Sequence, residues 1–161
     1  MTLAEKQSEF GQFQYVPNPT PGFPEGIRIL GDWVTQNIVR VEVPQLKIVT
    51  KGKVVTTFAH VKVAPFIQGL FMAWEEAGLL DKVLSWDGCW APRFIRGSTS
   101  ILSNHSFGSA FDINAAWNPL GKKATKGTGS VLDLVSIAEQ LGWYWGGNFS
   151  RTDPMHFERG I

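Results

Sequence analysis

Two short segments in the second half of the chain combine histidine with aspartate, and together they could supply ligands to one metal ion. The first, SNHSFGSAFDIN, contains His105 and Asp112, and the second, DPMHFE, contains Asp153 and His156. Imidazole and carboxylate are both zinc ligands, and a catalytic zinc takes three protein ligands and leaves a fourth position for water. A lone histidine is more often a hydrogen-bonded structural residue, so the prediction depends on the combination.

The first segment predicts a carboxylate on the polar face of a β-strand. In SAFDIN the side chains alternate, so that Asp112 faces away from Phe111 and Ile113. Gly108 permits a tight turn between His105 and this strand. Because a buried carboxylate is costly without a partner, a metal ion that His105 can also reach would stabilise Asp112.

The second segment predicts another strand, with Met155 and Phe157 facing the core and His156 facing the other way. Pro154 interrupts regular pairing just before the strand, so Asp153 lies next to the start of the strand but outside its regular geometry. There Asp153 could accept a proton from an attacking water and later deliver it to a leaving amine. The alternative interpretation is that Asp153 only forms a turn before proline.

Positive charge near the metal would complete such a site, because an oxyanion that develops during hydrolysis needs stabilisation. The segment WAPRFIRGSTS supplies Arg93 and Arg96 shortly before the first histidine. Either arginine could instead be a structural or surface residue, and the residues alone leave that choice open.

The two histidine segments resemble one known enzyme family. SNHSFGSAFD follows S-x-H-x-x-G-x-A-x-D, and DPMHFE follows D-x-x-H-x-E. In this order they resemble the zinc peptidoglycan peptidases of the D-Ala-D-Ala carboxypeptidase and L-alanyl-D-glutamate endopeptidase family, which includes VanY-like carboxypeptidases and several phage endolysins. The resemblance covers residues 60–161.

The resemblance implies a role for each matching residue. His105, Asp112 and His156 would be the Zn²⁺ ligands, Asp153 the catalytic acidic residue, and Arg93 the arginine that stabilises the substrate carbonyl and the oxyanion.

The resemblance also implies that Ser103 and Glu158 support the zinc ligands from outside the metal's own coordination shell. The segment APRFIRG departs from the commoner Y-R motif of the family, so the stabilising arginine could be Arg93 or Arg96. His60 is expected to be packed or exposed rather than a fourth ligand.

The implied activity is zinc-dependent hydrolysis of amide bonds in peptidoglycan stem peptides, at either the L-Ala-D-Glu or the terminal D-Ala-D-Ala bond. The alternative is a non-catalytic zinc-containing module that binds the cell wall, because the Hedgehog signalling domain is a distant relative with intact metal ligands and a binding role. Asp153 beside His156 favours the enzyme, since a binder needs no base. A serine hydrolase is disfavoured, because no G-x-S-x-G segment occurs.

Composition narrows the remaining possibilities. With 161 residues, 43% hydrophobic and 18% charged, the sequence predicts a soluble globular protein. A net charge of +1 argues against a nucleic-acid partner, and the lack of a long apolar run argues against a membrane partner. No signal peptide is visible. We expect a monomer that acts on the bacterial cell wall by a delivery route that the sequence leaves open.

The order of predicted elements favours an α+β fold with a mostly antiparallel central sheet flanked by helices, similar to the fold of the Hedgehog domain and the D-Ala-D-Ala peptidases. Residues 1–59 would form an N-terminal arm and strands packed on a zinc peptidase core of residues 60–161, in a single domain. The first thirty residues are rich in proline and glycine and are predicted to lack helix.

Periodicity predicts the main elements inside these regions. Strands are predicted in NIVRVEVPQL, KVVTTFAHVKV, WYWGG and MHFER, and helices in APFIQGLFMAWEEAG and GSVLDLVSIAEQLG. Ser130 and Asp133 are placed to cap the second helix. Trp117, Trp143 and Trp145 either pack in the core or form a wall of the cleft.

Overall fold

The α+β class predicted from the sequence is confirmed by a computed structural model, which describes residues 2–160. In this part of the chain the strands pair antiparallel in three sheets rather than one. The sheets comprise β1 (Gln14–Pro17) with β2 (Ile27–Leu30), β3 (Ile38–Glu42) with β4 (Thr56–His60), and, in spatial order, β5 (Trp86–Gly88), β6 (Ala110–Ile113), β8 (His156–Glu158) and β7 (Tyr144–Trp145). The finer likeness to the Hedgehog fold stays a prediction.

Helices surround these sheets. They are α1 (Leu3–Phe10), α2 (Trp33–Asn37), α3 (Pro44–Val49), α4 (Ala64–Glu76) and α5 (Leu132–Gln140), with short 3₁₀ turns at Leu80–Lys82, Asn104–Phe107 and Gly146–Asn148. Among residues 2–160, none of the helices combines the length and the apolar character that a membrane span requires.

The prediction that the first thirty residues lack helix is wrong at their start, where α1 forms. Thr2 and Glu5 make a reciprocal capping box, in which the Thr2 hydroxyl accepts from the Glu5 N–H at 3.3 Å and the Glu5 carboxylate accepts from the Thr2 N–H at 2.6 Å. Phe10, at the other end, is only 1% exposed. The proline-rich composition belongs to the residues that follow and does not extend to this helix.

Two other local predictions need correction. Strand β3 stops at Glu42, and Pro44 opens α3, where the sequence pattern predicted continued strand. The capping box predicted for the second long helix is absent, because α5 begins at Leu132 and Ser130 only accepts the Leu132 N–H at 3.3 Å.

The strands that carry the histidine segments are held by aromatic packing on one face. Phe111 of β6 stacks on Phe157 of β8 with ring centroids 5.4 Å apart, and Trp74 of α4 contacts both rings. Because side chains alternate along a strand, this packing directs Asp112 and His156 to the opposite face. The alternation predicted for these strands therefore positions the candidate site.

Met155 does not face the core, contrary to the prediction. It lies in the turn before β8, where its carbonyl accepts the Ile113 N–H at 3.0 Å, and its side chain lines the cleft beside His156. The strand begins one residue later than the sequence pattern suggested, so the alternation does not include Met155.

His60, the last residue of β4, is fully buried against α1 and does not belong to the cluster of His105, Asp112 and His156. Its Nε2 lies 3.2 Å from the Phe10 carbonyl, and its Nδ1 accepts the Lys62 N–H at 3.1 Å. Since a carbonyl only accepts, Nε2 must donate, and the ring is the neutral tautomer with both nitrogens satisfied. Burial lowers the pKa of His60, because a proton on Nδ1 would be desolvated and would face another N–H.

We therefore expect His60 to make folding stability depend on pH. A histidine whose pKa is lowered by folding stabilises the native state fully above the ordinary pKa of about 6.5, and this stability is lost as the pH falls below it. His60→Gln keeps hydrogen-bonding groups but does not titrate. Its free energy of unfolding, measured by urea titration of metal-free protein between pH 5 and 8, should fall less steeply with acid than that of the wild type. Equal slopes would contradict the expectation.

Candidate metal centre and cleft

The three side chains predicted to bind zinc converge on one point. His105 Nε2, His156 Nδ1 and Asp112 Oδ1 form a triangle with edges of 3.1, 3.0 and 3.2 Å. Strand pairing brings two of them together, since Asp112 lies directly opposite His156 in the β6–β8 register. The 3₁₀ turn Asn104–Phe107 supplies the third, and it ends at Gly108, whose positive φ of 67° returns the chain to β6.

Hydrogen bonds on the outer side of each ring set the histidine tautomers. His105 Nδ1 lies 2.7 Å from the Cys89 carbonyl, and His156 Nε2 lies 3.0 Å from a carboxylate oxygen of Glu158. Because these oxygens accept, the outer nitrogens carry the protons. In the neutral rings, His105 Nε2 and His156 Nδ1 then carry lone pairs, which face each other and the Asp112 carboxylate.

This donor set fits a divalent metal ion. Tetrahedral zinc with bonds of about 2.0–2.2 Å separates its ligand atoms by about 3.3–3.6 Å, which is close to the observed triangle. Three facing lone pairs repel one another unless a cation or a proton lies between them. The three residues could therefore hold a metal ion, and the two imidazoles with one carboxylate leave a further coordination position for water.

Without a cation, the same groups compete for a proton. Burial alone would lower the pKa of His156, but its hydrogen bonds with Asp112 and Glu158 raise it to about 9. Burial alone would raise the pKa of Asp112, but the charges and hydrogen bonds of His105 and His156 hold it well below its usual range. The site is therefore built to attract positive charge.

Glu158 fixes the orientation of the His156 ring. It accepts a hydrogen bond from His156 Nε2 and another from the Asn104 side-chain amide. Although burial would raise the pKa of Glu158, the bond from His156 keeps that pKa below its ordinary value. An ionised partner of this kind favours the tautomer that directs Nδ1 toward Asp112. The supporting role that the resemblance implied for Glu158 stays a prediction.

Asp153 reaches the same cleft from the chain before β8. Its backbone N–H donates to the Gly146 carbonyl at 2.8 Å, and its own carbonyl accepts the His156 N–H at 3.0 Å. A Cβ on Gly146 would lie 2.4 Å from the Asp153 carbonyl oxygen, so this close approach requires glycine in the WGG segment. Among residues 2–160, the buried Asp153 Oδ1 has no hydrogen-bond partner, and burial raises the pKa of this carboxyl group.

Arg93 lies on another side of the cleft and is held through its backbone. Its N–H donates to the Ser106 hydroxyl at 2.9 Å, and its carbonyl accepts from that hydroxyl at 2.6 Å and from the Ser103 N–H at 3.0 Å. Its guanidinium donates to the Phe94 carbonyl at 3.3 Å, and burial lowers its pKa. Arg96 also lines the cleft but is exposed.

Ser103 supports the segment that carries the first histidine. Its hydroxyl accepts the His105 N–H at 3.3 Å and caps the 3₁₀ turn, while its N–H donates to Arg93. Its side chain contacts the backbone of His105 rather than the imidazole. The support is thus to the loop and not directly to the ring nitrogen.

The cleft around these residues has a volume of about 330 Å³. Besides the residues already named, the side chains that line it come from α1, from the segment that follows Arg93, from the loop after β6 and from the segment before β8. They are Lys6, Ile95, Leu120, Phe149, Ser150 and Arg151.

None of the three tryptophans weighed as a cleft wall appears in this lining, among the residues that the structure describes. Trp143 is buried in the core, and Trp117 is 42% exposed elsewhere. Trp145 donates to the Pro154 carbonyl at 2.8 Å, which braces the turn before His156. Packing is therefore the role that the structure supports for Trp143 and Trp145.

Sequence reasoning missed several residues that shape the site. Asn104 holds Glu158, Ser106 holds the backbone of Arg93, and the Cys89 carbonyl fixes the tautomer of His105. The position of Asn104 and Ser106 beside His105 could have suggested the first two. A backbone carbonyl carries no sequence signal, so the third could not have been found.

Comparison with known proteins supports the resemblance that the two segments predicted. Residues 96–159 match the family model described as D-alanyl-D-alanine carboxypeptidase. The match contains His105, Asp112, Asp153 and His156, and it begins just after Arg93. This match to part of the chain supports the suspected relationship to the D-Ala-D-Ala carboxypeptidase family. No curated protein and no solved structure matched the chain.

We expect the protein to be stabilised by zinc through this site. A ligand that binds only the folded state adds about 2.7 kcal/mol at a concentration one hundred times its dissociation constant. Chelator-treated wild type should therefore show a higher thermal midpoint when Zn²⁺ is added and should retain about one ion per chain by elemental analysis. Asp112→Asn should lose most of both effects, whereas Asp81→Asn, a change at an exposed site, should not. A full shift in Asp112→Asn would argue against this centre.

We further expect Glu158→Gln to weaken zinc binding by about 10- to 100-fold, because the loss of charge weakens the partner of His156. Competition with a chromophoric chelator would measure the dissociation constant. Glu76→Gln at the end of α4 is the matched control and should bind zinc as the wild type does. Unchanged affinity in Glu158→Gln would mean that Glu158 does not tune the ligand.

Proposed function

We propose that the protein is a zinc-dependent peptidase that hydrolyses amide bonds in the stem peptides of bacterial peptidoglycan. One observation carries the proposal. The ligand atoms of His105, Asp112 and His156 meet in a cleft that Asp153 also lines, and within residues 2–160 the buried Oδ1 of Asp153 has no hydrogen-bond partner. The match to a carboxypeptidase family supports the reaction class and the type of substrate.

His105, Asp112 and His156 would hold the zinc, which when bound supplies Lewis-acid polarisation of the substrate carbonyl and activation of water. Asp153 accepts the proton of the attacking water and returns it to the leaving nitrogen. A carboxyl group whose pKa is raised by burial is suited to both steps, because it can hold the proton between them.

Arg93 is the better candidate for stabilising negative charge on the carbonyl oxygen. Its guanidinium is largely removed from water and interacts with the charges of Asp112 and Asp153, whereas Arg96 is exposed. A half-buried donor loses less to solvent screening than an exposed one and is held in place before the reaction. The hydrogen bonds from Ser103 and Ser106 to its backbone keep Arg93 at the cleft.

The scissile bond could be the L-Ala-D-Glu bond or the terminal D-Ala-D-Ala bond. Both substrates are peptides of the bacterial cell wall, which is where we propose that the protein acts. A non-catalytic cell-wall binding module is the competing function, and Asp153 distinguishes the two. A binder gains nothing from a carboxylate that keeps one buried oxygen without a hydrogen-bond partner, within residues 2–160, beside the metal ligands.

We expect Asp153→Asn to lose hydrolysis by about 10²- to 10⁴-fold while keeping its zinc. Purified peptidoglycan would be digested with the wild type, with Asp153→Asn and with the exposed control Asp133→Asn. Mass spectrometry of the released peptides identifies the bond, and elemental analysis measures the zinc. The control should cleave as the wild type does. Wild-type rates in Asp153→Asn would remove Asp153 from the mechanism.

The same digestion tests the metal. Wild-type cleavage should stop in the presence of a chelator and return when Zn²⁺ is added. Without zinc, His105, Asp112 and His156 cannot polarise the substrate carbonyl or activate the attacking water. Cleavage that resists complete metal removal would contradict the proposal. A wild type that binds peptidoglycan but releases no peptide would favour the binding module.

A further inference from the structure

The N-terminal helix contributes a cation to the cleft. Lys6 lies on α1 and is only 9% exposed, and its side chain lines the cleft together with His156 and Glu158. In the sequence, Lys6 lies outside the segment 96–159 that matches the carboxypeptidase family. The cleft is therefore completed by a part of the chain that the family resemblance does not cover.

Packing of α1 directs Lys6 inward. Phe10 follows Lys6 by four residues, so the two side chains share one face of the helix. Phe10 is buried against the His60 and Phe107 rings, with centroids 5.1 and 6.2 Å away. Its carbonyl also accepts hydrogen bonds from Trp33 at 3.0 Å and from His60 at 3.2 Å.

The ammonium of Lys6 has no partner of its own. Within residues 2–160, it makes neither a hydrogen bond nor an ion pair. Its nearest acidic influence is Glu158, whose carboxylate is already engaged by His156 and Asn104. Because the side chain is largely removed from water and lines the cleft, an anion that enters the cleft would be attracted to this ammonium with less solvent screening than at an exposed lysine.

Lys6 and Arg93 both line the cleft but interact with different carboxylates around the metal ligands. Glu158 and Asp112 bond to opposite nitrogens of the His156 ring. Lys6 is influenced by Glu158, whereas Arg93 is influenced by Asp112 and Asp153. A substrate whose scissile bond lies at the three ligands therefore has one cation of the cleft near Glu158 and another near Asp112 and Asp153.

From this arrangement, and building on the proposed function, we infer that Lys6 binds the carboxylate of the residue that supplies the leaving amine. Both candidate bonds place a carboxylate there. In the terminal D-Ala-D-Ala bond it is the C-terminal carboxylate, and in the L-Ala-D-Glu bond it is the α-carboxylate of D-Glu. Lys6 is thus a specificity-determining residue that selects peptides carrying a free carboxylate beside the cleaved bond.

The test compares a peptide acid with its amide. The substrates are D-Ala-D-Ala and L-Ala-D-Glu peptides, each with that carboxylate free or amidated, and the bond that the wild type cleaves is used. The variants are Lys6→Met, which removes the charge, and Lys6→Arg, which keeps it. Lys47→Met, at an exposed position of α3, is the matched control. Zinc content and thermal midpoint are measured for each to establish that it folds.

The wild type should prefer the acid over the amide by about 10- to 100-fold in kcat/KM, mainly through KM. Lys6→Met should lose this preference, because its kcat/KM for the acid falls while its kcat/KM for the amide stays unchanged. Lys6→Arg should retain most of the preference, and Lys47→Met should behave as the wild type. A Lys6→Met protein that discriminates as the wild type does would overturn the inference while leaving peptidase function intact.

Binding provides the second measurement, which does not need hydrolysis. In the Asp153→Asn background with zinc loaded, calorimetric titration with the same peptides should show about 10- to 100-fold weaker binding of the acid after Lys6→Met. Binding of the amide should not change. If the wild type cleaves no peptide, the proposed function fails, and this titration still decides about Lys6. Equal affinity in the two proteins, or no binding of the acid to either, would overturn its role.

Discussion

The structure depends on three electron-pair donors facing one another at hydrogen-bond distance. His105, Asp112 and His156 could each be accommodated alone, but together their inner atoms repel unless positive charge lies between them. The fold forces them together, because β6 and β8 pair in a register that sets Asp112 opposite His156. That pairing is in turn stabilised from behind by the stacked rings of Phe111 and Phe157. The aromatic core thus holds the ligands in a repulsive arrangement that a cation relieves.

The outer contacts of this centre decide which atoms face inward. A carbonyl at Cys89 and a carboxylate at Glu158 hold the protons of the two rings on the far side, so that lone pairs remain for a metal. The 3₁₀ turn that carries His105 is in turn capped by Ser103, which also bonds the backbone of Arg93. One hydrogen-bonded loop therefore links a metal ligand to the cation that would stabilise negative charge.

Sequence reasoning succeeded where side-chain periodicity determines structure. Alternation in SAFDIN and in the final strand predicted that Asp112 and His156 would leave the core, although it failed at Met155, which precedes the strand. Helical spacing predicted α4, whose Trp74 packs on these strands. It failed where a contact between distant residues decides the outcome. The helix α1 is short, and its docking depends on Trp33 and His60, which lie far along the chain. The placement of Lys6 follows from that docking, so no local pattern could have predicted a cation in the cleft.

The N-terminal segment therefore matters to the site for a physical reason. The match to known peptidases begins at residue 96, yet the cleft is bounded on one side by α1. A helix of eight residues is not stable by itself in water, so its position depends on burial of Phe10 and on the two bonds to the Phe10 carbonyl. His60 makes one of these bonds only as the neutral tautomer, because the same ring must also accept the Lys62 N–H. The charge that Lys6 presents to a substrate is thus held in place by an uncharged histidine that contacts Phe10 at the end of the same helix. Its placement depends on core packing rather than on the metal ligands.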